Sequence, residues 1–379
     1  MRLECGGPVP VVPVTCEVAL PESVSPEELI MEDVATGDLV TCQWEGSGGR
    51  MRVTWLAGGW GDRRTAEYRV RQGRPVVPTG VELVDAVPNQ LGILVFGRPF
   101  ATYNFSTEFA RPFFYPVFSP SGRRVTRNYP MLDVPGESRD HVHHRSLWVA
   151  HGDVNGADCW SEEPGHGWIR HQEFVSTFSG PIVGGFVERN TWLSADGTSK
   201  LMDEVRSFRT YAIPDGPRMA DISVTFRASA GDVRFGDTKE GGIVSVRVAT
   251  SMDGDKGGTI RISTGGTGER ECWGRRADWC SYTGPADGAT VGIAILDHPS
   301  NPRHPTYWHV RDYGLMTANP FGVSYFENDR TKDGSLTIRA GDEITFRYRL
   351  VIHEGDADSA DIGRHYEAYA SPPGVSVAS

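Results

Sequence analysis

The 379-residue chain has no apolar run approaching the roughly 18 to 20 residues that cross a bilayer as a helix, and its longest such runs, Leu91–Phe96 and Val291–Leu296, have the length of buried strands. A membrane-spanning helix is not expected. Basic runs are equally absent: none exceeds Arg63-Arg64, Arg123-Arg124 or Arg275-Arg276, and 38 Lys+Arg against 49 Asp+Glu leave a formal charge of −11. A nucleic-acid binder needs a basic footprint and a lipid-docking protein a Lys/Arg cluster, so neither kind of partner is expected. The six cysteines (Cys5, Cys16, Cys42, Cys159, Cys272 and Cys280) include no C-x-x-C pair, and Met1–Pro8 lacks the apolar core of an export signal. Free thiols in a cytoplasmic protein follow as the expectation. Also missing are the phosphate loop, the H-E-x-x-H zinc motif, the G-x-S-x-G elbow and a strand-bound G-x-G-x-x-G, so no nucleotide cofactor is expected.

What remains is the composition of a globular protein, 39% hydrophobic and 23% charged, with 45 Gly and 25 Pro to make turns. Asp-Gly pairs at Asp196-Gly197, Asp215-Gly216, Asp253-Gly254, Asp287-Gly288 and Asp333-Gly334 tolerate the positive φ of tight hairpins. Ile222, Val224 and Phe226 alternate with polar neighbours, as do Ile344, Phe346, Tyr348, Leu350 and Ile352. The pattern predicts an all-β, mainly antiparallel fold. In the second strand arginines line the other face, which is either open to solvent or the polar wall of a cleft. Helical signal is confined to a short segment in Pro26–Val34 and to a C-terminal helix carrying Ile362, Tyr366 and Tyr369, capped by Asp358 or Ser359 and ended by Pro372-Pro373-Gly374. A boundary near Arg71–Pro75 divides an N-terminal β-rich module, 1–75, from a larger domain, 76–379.

Histidine is concentrated. Six of the eleven (His141, His143, His144, His151, His166 and His171) fall in one short segment, and His298, His304 and His309 fall in another. If 141–149 is extended, His141, His143 and Arg145 share a face while His144 and Trp148 take the other. Neutral imidazole is the acid/base group nearest neutrality, and imidazoles beside a carboxylate also build divalent metal sites. The plainer alternative is a set of polar loop histidines satisfied by backbone groups.

The second segment, Asp297–Gly314, follows the Val291–Leu296 run and is stiffened by Pro299, Pro302 and Pro305. Its alternating aromatic, His, Arg and Asp side chains suit a polyhydroxylated ligand, whose C–H faces stack on rings while its hydroxyls hydrogen-bond. A proline-stiffened loop covering a sheet fits equally well. A third feature, Phe235–Gly242, sets Asp237, Lys239 and Glu240 between glycines before another strand, either presenting a base at a sheet edge or forming a solvated turn.

Several of these motifs occur together in one family. Arg111-Pro112-Phe113-Phe114-Tyr115-Pro116-Val117, Tyr129-Pro130-Met131, the Asp-His-x-His-His-Arg-x-Leu-Trp and His-Gly-Asp-Val-Asn-Gly of Pro135–Trp160, Asp237-Thr238-Lys239-Glu240-Gly241 and the 297–322 block resemble a bacterial family labelled PmoA-like. The resemblance spans roughly residues 85–355. The family's "methane oxygenase" label does not transfer, because a membrane copper oxygenase subunit needs spanning helices. What the resemblance implies is a β-supersandwich similar in architecture to galactose mutarotases and some polysaccharide lyases, in a setting of bacterial sugar catabolism. Fold analogy alone does not name a reaction.

The expectation is therefore a carbohydrate-active enzyme, a C–O lyase, hydratase or isomerase, acting by acid/base chemistry on a monosaccharide or a glycoside, including a 3-keto glycoside. His143, His144, His151 and Glu240 are the candidate catalytic residues. Arg145, Trp148, Asp153, His304, His309, Arg311 and Asp312 are candidates for substrate binding. His141, His143 and His144 are candidate ligands for a divalent metal ion. Two alternatives stay open: glycoside hydrolysis by a carboxylate pair drawn from Glu137, Asp140, Asp153, Glu162 and Glu240, and a non-catalytic sugar-binding or regulatory protein. The expected partner is a small sugar, with a homo-oligomer left open.

Overall fold

The computed structural model describes residues 2–6, 10–20, 24–47, 49–59, 63, 65–73 and 79–378. Period-two alternation builds its long strands. Ile222, Val224 and Phe226 of Arg218–Arg227 stand opposite Tyr348, Phe346 and Ile344 of Glu343–Glu354, with all six side chains on the core side. This pair lies within an eight-stranded sheet ordered Trp168–Phe178, Val183–Leu193, Lys200–Tyr211, Arg218–Arg227, Glu343–Glu354, Ala289–Asp297, Trp279–Ala286 and Thr259–Ile262. Packed on it is a nine-stranded sheet ordered Arg275–Arg276, Tyr307–Arg311, Leu315–Asn319, Gly241–Arg247, Leu147–His151, Phe113–Val117, Arg98–Asn104, Gln90–Val95 and Val81–Val87. One continuous core, including Phe114, Phe186, Phe208, Val244 and Trp308, fills the space between them. The fold is the all-β supersandwich expected.

Asp196-Gly197, Asp215-Gly216 and Asp287-Gly288 each join consecutive antiparallel strands. Asp287 and Gly288, at φ 44° and 78°, supply the two left-handed residues of a tight hairpin. Asp253-Gly254 opens a 3₁₀ turn instead, and Asp333-Gly334 lies in a loop.

Among the described residues the N-terminal module has two small sheets, which enclose Val14, Met31, Val53, Trp55 and Tyr68. The C-terminal end of the chain returns to it: Val375–Ala378 pairs with the strand Arg2–Gly6, and Ala368 packs in its core. Arg74 and Pro75 of the expected boundary lie outside the described residues. The helix expected in Pro26–Val34 is only a 3₁₀ turn, Pro26–Glu28, because Leu29–Asp33 is strand, pairing with Thr65–Gln72 and burying Met31.

The C-terminal helix is Ile362–Ala370, and its N-cap is Asp361, not Asp358 or Ser359. Those two belong to a preceding turn in which Asp356 accepts hydrogen bonds from the Ser359 amide and hydroxyl. Ile362 and Tyr369 pack on Ala294, Leu296 and Val351, so the helix covers the Arg349–Val351 end of the arginine-bearing side of the last long strand. Arg347 on the same side stays exposed, so that face is covered at one end and open at the other. Arg349 there makes a two-pronged pair with Asp221, 2.6 and 2.9 Å, beneath the Tyr369 ring. Among the described residues no helix is long and apolar enough to cross a membrane.

Charge also enters the core between the sheets. Arg206 donates to Glu204 at 2.7 Å and to the Tyr103 hydroxyl at 2.9 Å, Tyr103 donates to Glu188, and the Trp192 indole donates to Glu204 at 2.6 Å. All five side chains are buried. Arg206→Ala leaves two buried carboxylates without their cation, and the expected cost is about 3–5 kcal/mol in denaturant unfolding. An unchanged midpoint would contradict this role.

Candidate functional site

The core takes one face of the nine-stranded sheet, and the site is built on the other. In Gly241–Arg247, Ile243, Val244 and Val246 face the core, so Ser245 and Arg247 point outward. Strand register then sets Trp148 opposite Ser245, Ser245 opposite Thr317, and Thr317 opposite His309, a row crossing four strands. At about 4.8 Å per strand the row is about 14 Å long.

Within residues 141–151 only Leu147–His151 is strand. Before it the backbone turns at His141 and Ser146, whose φ angles are 44° and 63°, and the amides of His144, Arg145 and Ser146 donate to the carbonyls of His141, His143 and His144. The alternation expected from residue 141 is therefore broken, and the three imidazoles gather instead of dividing between two faces. His141 stacks on His144 at 4.7 Å, His144 stacks on Trp148 at 5.3 Å, and His143 lies edge-on to His144 at 4.5 Å. Trp160 and Tyr313 close the group, Tyr313 stacking on His141 at 4.9 Å.

Buried arginines hold this loop. Arg111 donates to the carbonyls of His143, Trp160 and Ser161 at 3.1, 2.6 and 3.1 Å. Arg127 reaches the carbonyls of Asp140 and His141 at 2.9 and 2.8 Å, and Arg127 and Arg247 both bind the Asp140 carboxylate. Burial works against ionisation of Asp140, yet the His141 hydrogen bond and Arg247 hold its pKa far below the usual range.

Hydrogen bonding fixes two tautomers. Arg247 donates to His144 Nδ1 at 3.2 Å, so the ring proton sits on Nε2, which is buried without a partner among the described residues. His309 Nδ1 donates to the Lys239 carbonyl at 2.8 Å, leaving Nε2 as a lone pair. Burial pushes His143 and His309 down to about 4 and His144 well below its usual value, so all three are neutral near pH 7. Glu240 differs: burial would raise its pKa, but the Lys239 hydrogen bond and the fields of His309 and His143 lower it. Its side chain is 45% exposed, at the rim with Lys239, His141 and Arg311. The Trp148 and Trp160 indole N–H groups, the Ser245 and Thr317 hydroxyls and Arg247 Nε are buried without hydrogen-bond partners among the described residues. An unpaired buried polar group costs about 1–3 kcal/mol, and here they cluster on one face.

The structure thus unites His143, His144, Trp148, Glu240, His309 and Arg311. His151 is not among them: it faces the opposite way, packs on Phe235 and Phe321 and bonds the Gly236 carbonyl at 3.0 Å. The period-two pleat puts it in the core. His304 is tied to Asp297 at 2.8 Å and to Tyr366 of the C-terminal helix, within a knot that also holds Asn301 and Thr306. Arg145 is locked to Glu162 at 2.7 and 2.6 Å over the Phe109 and Phe113 rings. Asp153 closes a turn at Gly156 and pairs with Arg234, and Asp312 bonds the Glu269 amide. Each of these four side chains is thus engaged by protein groups.

Sequence reasoning missed Tyr313, Trp160, Arg247, Ser245 and Thr317. The alternation within Gly241–Arg247 marked Ser245 and Arg247, but the other three come together only through the fold. Among the described residues no group of three or more His, Cys, Asp or Glu side chains has the arrangement of a metal site. His141 and His144 stack within 5° of parallel, with Asp140 at His141 Nδ1 and Arg247 at His144 Nδ1, so their nitrogens do not converge on a point. The five described cysteines are free.

Residues 90–367 match the sequence profile of a family of unknown function, DUF6807. The match covers well over half of the chain, which belongs to that family. No curated protein matches the chain.

Four buried histidines (His143, His151, His309 and His365) are held near 4 against an ordinary 6.5. The unfolded chain binds more protons between those values, so stability falls as pH drops from about 6.5 to about 4 and these groups contribute no further loss below that. Denaturant midpoints across pH 3.5–7.5 check this, and a flat profile would contradict it.

Proposed function

We propose that this DUF6807 protein is a carbohydrate-active enzyme that performs acid/base chemistry at carbon on a monosaccharide or glycoside, including one already oxidised to a 3-keto sugar. One observation carries the reading: an ionised carboxylate, Glu240, acts on two neutral imidazoles, His143 and His309, on a face where unpartnered donors gather. A ketone acidifies its neighbouring C–H. Glu240 or the Nε2 lone pair of His309 removes that proton, and donors such as His144 Nε2–H hold the developing enolate oxygen. Elimination, hydration and epimerisation share this first step. Aromatic rings and indole donors suit a ligand with apolar C–H faces and many oxygens. We place the enzyme in the cytoplasm, where its free thiols stay reduced.

The carboxylates that would have to partner Glu240 in a hydrolase are otherwise occupied. Glu162 is bound by Arg145 and Arg111, Asp140 by Arg127 and Arg247, and Glu137 by Asn128 and the Tyr129 amide. Acid/base chemistry at carbon therefore ranks above hydrolysis.

Turnover of 3-keto glycosides against their unoxidised forms tests the reading. Glu240→Gln is expected to lower kcat/KM by about 10²–10⁴, and His143→Ala to lower it strongly. Because His309 is held near 4 and Glu240 below its ordinary value, kcat/KM should stay level from about pH 5 through neutrality and fall only in more acidic solution. Sugar binding without turnover in either redox state, or a folded His143→Ala protein with full activity, would contradict the assignment.

A further inference from the structure

We propose that the Tyr313 hydroxyl is the general acid of this site and protonates a leaving oxygen β to the substrate's carbonyl. The proposal rests on the acid/base reading above and adds to it both a residue and a reaction type, elimination.

Tyr313 sits in the turn Asp312-Tyr313-Gly314 between Tyr307–Arg311 and Leu315–Asn319, on the side of the sheet that carries His309. The turn needs Gly314, which has φ 97° and lies where a Cβ would meet Asp253 Oδ1 at 2.9 Å. The ring is fixed from several sides. It stacks on His141 at 4.9 Å and 16°, with the Arg247 guanidinium 4.8 Å and that of Arg311 5.5 Å from its centroid. The hydroxyl itself has no hydrogen-bond partner among the described residues, and it is not one of the buried unpartnered atoms. A ring clamped this firmly, with its one polar atom free, is placed to give a proton to a ligand.

The electrostatics separate the acid from the base. Burial pushes the Tyr313 phenol up to about 12, Arg311 and Arg247 work against that, and Glu240 adds to it. At neutral pH the phenol keeps its proton while Glu240 has lost its own, the divergence that assigns acid and base roles. A phenol near 12 is also a stronger acid than a departing alcohol, close to water at roughly 15.7, so the transfer runs downhill. The two guanidinium groups then face the phenolate that forms.

On a glycoside with a carbonyl two carbons from the anomeric centre, the base takes the proton from the carbon between them. The C–H electron pair becomes a C=C bond, the anomeric C–O bond breaks with its pair going to oxygen, and that oxygen receives the Tyr313 proton. The products are an unsaturated keto sugar and the free alcohol. No oxidant or reductant is consumed. The phenolate regains a proton and the base loses one before the next turnover.

Tyr313→Phe keeps the ring and removes only the hydroxyl. With an alkyl 3-keto glucoside the variant should lose about 10²–10⁴ in kcat/KM, mostly in kcat. With the nitrophenyl 3-keto glucoside, whose leaving group departs without an acid, the loss should be at least ten-fold smaller. Near-ultraviolet circular dichroism matching the parent confirms folding. Equal losses for both substrates, or no loss for either, would overturn the role of Tyr313 while leaving Glu240 and the histidines in place. Failure of the unaltered protein to eliminate either alcohol, with epimerisation or hydration observed instead, would overturn the elimination step. Absence of any turnover would remove the enzyme reading itself.

Discussion

Guanidinium groups hold the histidine loop where a sheet ladder cannot. Residues 139–146 turn too tightly to pair with a neighbouring strand, so their carbonyls need other donors. Arg111 and Arg127, both buried, supply them at His143, Asp140 and His141. A guanidinium offers several donors in one rigid plane, which lets a single side chain fasten carbonyls from two segments. The Asp140 carboxylate, shared by Arg127 and Arg247, joins this clasp to the strand beneath. The tautomer of His144 depends on the same arrangement through Arg247.

Burial is the main reason that the imidazoles are neutral, and the clasp adds to it at His143 and His144. Cations close to a buried ring oppose its protonation, and Arg111 does this to His143 as Arg247 does to His144. Glu240 is at the rim, where Lys239 and the histidines favour its charge. Neutral imidazoles lie over the buried guanidinium groups, and an ionised carboxylate stands at the rim. The chain's −11 average hides this local balance.

The fold was largely legible because alternation and Asp-Gly turns are local signals. Ile222–Phe226 and Ile344–Ile352 marked their core faces directly, and Asp287-Gly288 marked its hairpin. The clustering of histidine pointed to the right segment and His144 does share a face with Trp148, yet His141 and His143 were put on the opposite face, since positive φ at His141 and Ser146 leaves no trace in a hydrophobic pattern. His151 and His304 looked like their neighbours in sequence, but the pleat turned one into the core and Asp297 claimed the other. Tyr313 was in view within the second cluster, but nothing in the sequence separates a free hydroxyl from a bonded one. The partnering of side chains is a property of the packed molecule.

The central claim is that an oxygen-rich ligand seats on the Trp148–His309 face, and the indole N–H signals report on it. Trp148 and Trp160 are buried there without acceptors among the described residues, whereas Trp55, also without one, and Trp192 lie away from that face in the two cores. In nitrogen-15 spectra of tryptophan-labelled protein, adding methyl 3-keto-glucoside should shift the Trp148 and Trp160 indole resonances, assigned by Trp→Phe variants, and leave those of Trp55 and Trp192 in place. Unmoved Trp148 and Trp160 signals at saturating ligand, or shifts confined to the other indoles, would contradict it.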